Sequence, residues 1–212
     1  MSARIIALTN QKGGCGKTTT AVNLSTALAS MGQRVLLLDM DPQGNASIHL
    51  GIGIYDLSAS MYDVLVDQDK MVRDVIHKTM IENLDVVPSN IELSGAELEL
   101  VNIIGRESAL KDSMDGMENE YDFIFIDCPP SLGLLTLNAL TTSTEVMVPV
   151  QTEYFALEGM KKLLKSVEVV KRRLNHNLEV TGIIPTMYDV RTNLSDAIMA
   201  KIIEHFGDKV FK

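Results

Sequence analysis

The run Gln11-Lys12-Gly13-Gly14-Cys15-Gly16-Lys17-Thr18-Thr19 constrains this chain more than any other feature. It follows a short apolar stretch, Arg4 to Thr9, and precedes residues 17–31, where Ala21, Leu24, Ala27, Leu28 and Met31 recur at helical spacing. Strand, glycine-rich loop and helix in that order gather backbone N–H groups and a helix N-terminus around one point, which suits phosphate oxygens. In such a loop the glycines let the backbone curl, a lysine reaches the outer phosphates and a hydroxyl residue binds magnesium. Gly16, Lys17 and Thr18 match those parts. The simpler alternative is a glycine-rich turn with solvated lysines, and eight matching residues in strand-to-helix context weigh against it.

Gly32 supplies a helix stop and Arg34 to Asp39 reads as a second buried strand, so residues 4–39 have the length of a βαβ crossover. The alternation continues. Strands are expected at Leu84 to Val87, Tyr121 to Asp127, Glu145 to Val150 and Val180 to Pro185. Helices are expected over Glu92 to about Met117 (mainly helix), Leu132 to Leu140, Ala156 to Leu174 and Leu194 to Phe206. This pattern predicts an α/β fold of three layers, a mostly parallel twisted sheet flanked by helices on both faces, in a single domain over 1–212. Asp208 to Lys212 starts to read as one more strand and then stops, so a chain truncated at its C-terminus is expected.

Composition narrows the function classes. With no Trp and five each of Tyr and Phe, core volume falls to Leu, Ile, Val, Ala and twelve Met. A net charge of -9 argues against a surface that attracts nucleic acid everywhere, while leaving room for one local basic patch. Runs such as Val35 to Leu38 are far shorter than the roughly 20 residues of a membrane span. No charged, apolar, cleavable leader opens the sequence, and the expectation is a cytoplasmic protein with no membrane partner. Cys15 and Cys128 lack metal-ligand spacing and read as reduced thiols that pack as small residues.

Two carboxylates stand just past the end of the second strand, where ligands of an open parallel sheet gather. Asp39 and Asp41 lie in Asp39-Met40-Asp41-Pro42-Gln43-Gly44-Asn45, which is also good turn chemistry. Asp127 ends Phe123-Ile124-Phe125-Ile126-Asp127, and a carboxylate on so apolar a strand needs a partner or a metal; a helix N-cap is the other reading.

The generic phosphate loop carries glycine at position 11, where this chain has Gln11. Lys12-Gly13-Gly14-Cys15-Gly16-Lys17-Thr18-Thr19 resembles instead the deviant Walker A motif of the ParA/MinD family of P-loop NTPases (the SIMIBI class), with its second lysine near the loop's start. Asp41-Pro42-Gln43-Gly44-Asn45 is similar to the ParA/Soj branch, and the likeness extends over Pro149 to Gly159 and Pro185 to Asn193. The resemblance implies ATP and Mg2+ as cofactors and a weak ATPase stimulated by a partner. It implies a homodimer that sandwiches two ATP molecules, with Lys17 acting on its own subunit's nucleotide and Lys12 reaching across to the partner's. Asp41 would orient the attacking water, as the third catalytic residue beside the two lysines. Thr18, Asp39 and Asp127 would stand at or near the metal, and Pro185, Thr186 and Met187 near the adenine.

The same resemblance implies ATP-dependent, non-specific DNA binding, nucleoid association of the ATP form, and a DNA-bound activator of the ParB type. Arg191 is the first candidate for DNA contact, followed by Lys161 and Lys162. Lysines on residues 160–173 also suit an ordinary solvated helix face. Because relatives of this branch continue past the position of Lys212, DNA binding by this chain is expected to be weak. A MinD-like regulator cycling on a membrane surface is the alternative, and its hallmark would be a basic amphipathic C-terminal helix. Nitrogenase iron proteins share the loop but hold a cluster between subunits through cysteines, a placement that Cys15 and Cys128 do not fit.

Overall fold

The computed structural model describes residues 2–153 and 156–211. Its frame is a seven-stranded sheet of β1 (Arg4–Leu8), β2 (Val35–Asp39), β3 (His77–Lys78), β4 (Leu84–Val87), β5 (Phe123–Asp127), β6 (Glu145–Gln151) and β7 (Glu179–Thr186). The strands lie in the order β3-β4-β2-β5-β1-β6-β7. Every neighbouring pair is parallel except β3 with β4, where the short edge strand runs antiparallel. All five residues of β2 are buried, as expected for a strand covered on both faces.

Helices form both outer layers: α1 (Lys17–Ser30), α2 (Asn45–His49), α3 (Met61–Val66), α4 (Leu93–Leu100), α5 (Ala109–Ser113), α6 (Met117–Glu120), α7 (Leu134–Thr142), α8 (Ala156–Arg173) and α9 (Asn193–Phe206). Alternation along the strands divides the core. Val35, Leu37, Ile6, Leu8 and Phe125 face α1 and α2 through Ala21, Ala29 and Ala46. Leu36, Leu38, Ala7, Ile124 and Ile126 face the opposite layer, with Leu93, Leu100, Leu135, Leu163 and Ile202 among the residues packed there.

The segment from Glu92 to Met117, expected as mainly helix, is three short helices, α4 to α6, separated by turns. Gly105 (φ 77°) and Gly116 (φ 82°) take left-handed backbone between them, which a continuing helix cannot contain. Residues 40–80, with little periodicity, hold α2, α3 and β3. Helix α3 starts with a capping box in which the Ser60 and Asp63 side chains satisfy each other's backbone N–H groups. At the other end, Gly207–Lys209 is a single 3-10 turn, and the expected strand at 208–212 reduces, among the described residues, to a parallel bridge of Val210 with Ile183.

Candidate functional site

The loop after β1 is tied to strands on its right. Thr9 donates its N–H to the Met147 carbonyl (3.2 Å). The Asn10 side-chain amide donates to the Pro149 carbonyl (2.7 Å), and its oxygen accepts the Lys12 N–H (3.1 Å). Gly14 and Gly16 sit at φ 71° and 89°, the left-handed values that reverse the chain ahead of α1. The Thr186 hydroxyl, at the end of β7, donates to the Cys15 carbonyl (2.8 Å). Lys17 is buried, and its ammonium donates to the Lys12 carbonyl (3.4 Å) inside the curl.

Carboxylates close the other side. Asp39 and Asp127 are register partners at the carboxyl ends of β2 and β5, and Leu8 of β1 is level with Asp127. Asp39 is engaged by its own chain: one oxygen accepts the Ser47 N–H (2.9 Å) and hydroxyl (2.7 Å), and the other accepts the Asp41 N–H (3.2 Å). Burial pushes its pKa up to about 6, with the Ser47 bonds pulling the other way. Asp127 differs, because both of its oxygens are buried and neither meets a hydrogen-bond donor in good geometry. Burial pushes this group up to about 8; the Asp39 charge adds to the rise, while the Thr18 hydroxyl and the Lys17 ammonium oppose it.

These walls enclose a cleft of about 270 Å³ lined by Gly13, Gly14, Gly16, Lys17, Thr18, Thr19, Asp41, Asn45, His49, Pro130 and Met187. Buried Cys15 and Cys128 lie outside that lining, and burial pushes both thiols upward. Lys12 points out of the loop toward the end of β6, where its ammonium donates to Gln151 (2.8 Å) and to the Glu153 carboxylate.

The family model described as an AAA domain matches residues 3–180. Soj, the sporulation initiation inhibitor protein of Bacillus subtilis, is 54% identical over 209 residues, spanning 99% of this chain and 82% of its own length. The chromosome partitioning protein ParA of Caulobacter vibrioides is 48% identical over 98% of this chain and 78% of its own. The chain belongs to the ParA/Soj family of P-loop ATPases. Among solved structures, a Mycobacterium smegmatis protein titled cobyrinic acid a,c-diamide synthase, with bound ADP and magnesium, superposes with a TM-score of 0.90. It is 38% identical over 97% of this chain and 83% of its own.

For a ParA/Soj ATPase the unpartnered oxygens of Asp127 are the informative atoms. A hard divalent cation seeks oxygen ligands, and magnesium commonly takes one or two from the protein and the rest from water and phosphates. The Asp127 carboxylate and the Thr18 hydroxyl fit that demand, and no cluster of three or more metal-binding side chains occurs among the described residues. Asp39 borders them with its oxygens already occupied.

The remaining sequence candidates spread out. Met187 lines the cleft with φ 51°, Thr186 braces the loop, and Pro185 stays within β7. Arg191 is exposed just before α9 and forms a two-bond ion pair with Asp189 (2.9 and 2.8 Å). Lys161 and Lys162 are exposed on α8, away from the cleft lining. Sequence reading missed Asn45, His49 and Pro130 in the wall, and the Ser47 knot beneath it. Ser47 also accepts the Ser89 N–H (3.1 Å), and a Cβ on Gly44 (φ 61°) would lie 2.8 Å from the Ser89 carbonyl oxygen. Asn45 and His49 stand four apart after Gly44, the only signal that they share a face.

Proposed function

We propose that this protein is a dimerising ATPase of the ParA type that hydrolyses Mg2+–ATP to ADP and phosphate and acts in DNA segregation or cargo positioning. The observation that carries this reading is the pair of buried, unpartnered Asp127 oxygens beside Thr18 and Lys17 at the mouth of a glycine loop. Magnesium supplies charge neutralisation on the phosphates when bound. Thr18 and Asp127 would hold it, Asp39 fixes the neighbouring segment through Ser47, and Lys17 would stabilise the outer phosphates. Asp41, in the cleft lining, orients the attacking water. Lys12 acts on the partner subunit's nucleotide in a two-ATP sandwich, which is why hydrolysis separates the subunits. The name of the Caulobacter vibrioides relative, chromosome partitioning protein ParA, supports the segregation role, and non-specific DNA and a DNA-bound ParB-type activator are the partners that follow from it.

Light scattering of the parent chain and Asp41→Ala, each with magnesium and ADP or ATP, tests the cycle. The expected result is a dimer of Asp41→Ala with ATP only, and monomers with ADP. Monomers throughout, with ATP bound, would remove the sandwich and the trans role of Lys12.

A further inference from the structure

Helix α7 begins immediately after the loop that leads from Asp127 past Pro130, a wall of the cleft, and its N-cap residue Gly133 offers no side chain to the free N–H groups of the first turn. A carboxylate from another helix fills that place. Glu97, half-buried on α4, accepts the Leu135 N–H with Oε1 (3.4 Å), the second helical position where an N-cap oxygen normally bonds. It also approaches so closely that a Cβ on Gly133 would lie 2.0 Å from Oε1. Ser131 is bound to the same turn, because its carbonyl accepts the Thr136 hydroxyl (2.7 Å). The loop is thus fixed at its start by β5 and at its end by a first turn that Glu97 caps.

Resting on the ATPase reading above, we propose that Glu97 is a positioning residue for the cleft: by capping α7 from α4 it sets the loop of residues 128–133, and with it Pro130 beside the phosphates. A carboxylate is favoured at a helix N-terminus by the aligned peptide dipoles, and Glu97 stands at that of α7. The same contact leaves no room for a Cβ at Gly133 while the carboxylate stays in place. Any side chain there displaces the carboxylate, and the loop loses its far anchor.

The test uses the full chain and three variants, Glu97→Ala, Glu97→Gln and Gly133→Ala, read by amide hydrogen exchange over residues 131–137 and by steady-state ATP hydrolysis. Losing the cap is expected to speed exchange of the Leu135 amide about fivefold in Glu97→Ala and Gly133→Ala. It should lower kcat about fivefold with KM for ATP held within about twofold. Glu97→Gln keeps the accepting oxygen and should restore most of both, and Glu97→Ala added to Gly133→Ala should cost little more than Gly133→Ala alone. Unchanged exchange at residues 131–137 in Glu97→Ala, or a Glu97→Gln as impaired as Glu97→Ala, would overturn the proposal. A parent chain that hydrolyses no ATP would count against the ATPase reading instead, and the exchange experiment would still decide the role of Glu97.

Discussion

Lys12 and Glu153 form an ion pair within one chain: the lysine that opens the phosphate loop is held at the end of β6, with Gln151 as its second acceptor (2.8 Å). Both side chains are about half exposed, and such pairs contribute only ~0–1 kcal/mol. In the proposed two-ATP dimer, phosphates of the partner's nucleotide would therefore displace Glu153 easily. Glu153→Gln should strengthen the ATP-dependent dimer by up to about fivefold at low salt, and by less as salt rises, in sedimentation with Mg2+–ATP. A weaker dimer would mean that Glu153 helps to bind the partner and does not compete for Lys12.

Lys17→Ala and Asp41→Ala should separate binding from chemistry. Loss of the buried Lys17 ammonium should abolish nucleotide binding by calorimetry. Asp41→Ala should bind Mg2+–ATP as the parent does and hydrolyse it at least about a hundredfold more slowly, the usual range for removing a group that directs proton transfer. Equal turnover by Asp41→Ala and the parent would take Asp41 out of that role.

Stability without metal should fall as pH rises. Asp39 and Asp127 have folded-state pKa values raised to about 6 and about 8, against roughly 3.9 for an unfolded aspartate. Between those limits the folded state holds more protons, so its advantage is whole below pH ~4 and is lost as pH climbs toward 8. In EDTA, melting should come several degrees lower at pH 8 than at pH 5.5. Mg2+–ADP should remove most of that difference, and Asp127→Asn should flatten the profile. A parent profile no steeper than that of Asp127→Asn would show that Asp127 is not the group responsible.

Arg191 is paired with Asp189 (2.8 Å), so any phosphate it meets must compete with a carboxylate on its own loop. In the ATP state, Asp189→Ala should tighten binding to random duplex DNA, and Arg191→Ala should weaken it and reduce the slope of log K against log salt by roughly 0.9 per lost contact. Identical slopes for Arg191→Ala and the parent would exclude Arg191 from the DNA face.

Gly44 combines left-handed backbone with a tight approach to the Ser89 carbonyl, 2.8 Å from where a Cβ would stand. Gly44→Ala should destabilise the fold by ~1–3 kcal/mol and loosen α2, the helix that brings Asn45 and His49 to the cleft. Urea denaturation reads the first effect and proteolysis between residues 41 and 50 the second. A midpoint equal to the parent's would show that the segment shifts without cost.

Local signals in the chain determined the α/β class and the phosphate loop, because both are written at short range. A glycine run between an apolar strand and an amphipathic helix has few other uses, and blocks such as Val35 to Leu38 bury on both faces only in a covered parallel sheet. The place of Asp127 at the end of an apolar strand was legible for the same reason. Tertiary structure decided what depends on partners far along the chain. It put Asp39 in register with Asp127, gave one oxygen of Asp39 to Ser47 and the other to Asp41 while leaving those of Asp127 without a donor, and brought Glu97 to the start of α7. It also broke the expected helix of residues 92–117 at glycines whose left-handed backbone the apolar spacing did not register. Hydrogen-bond partners 8 to 42 residues apart, such as Asp39 with Ser47 and Ser47 with Ser89, leave no periodic trace in a sequence, since only the folded sheet makes them neighbours.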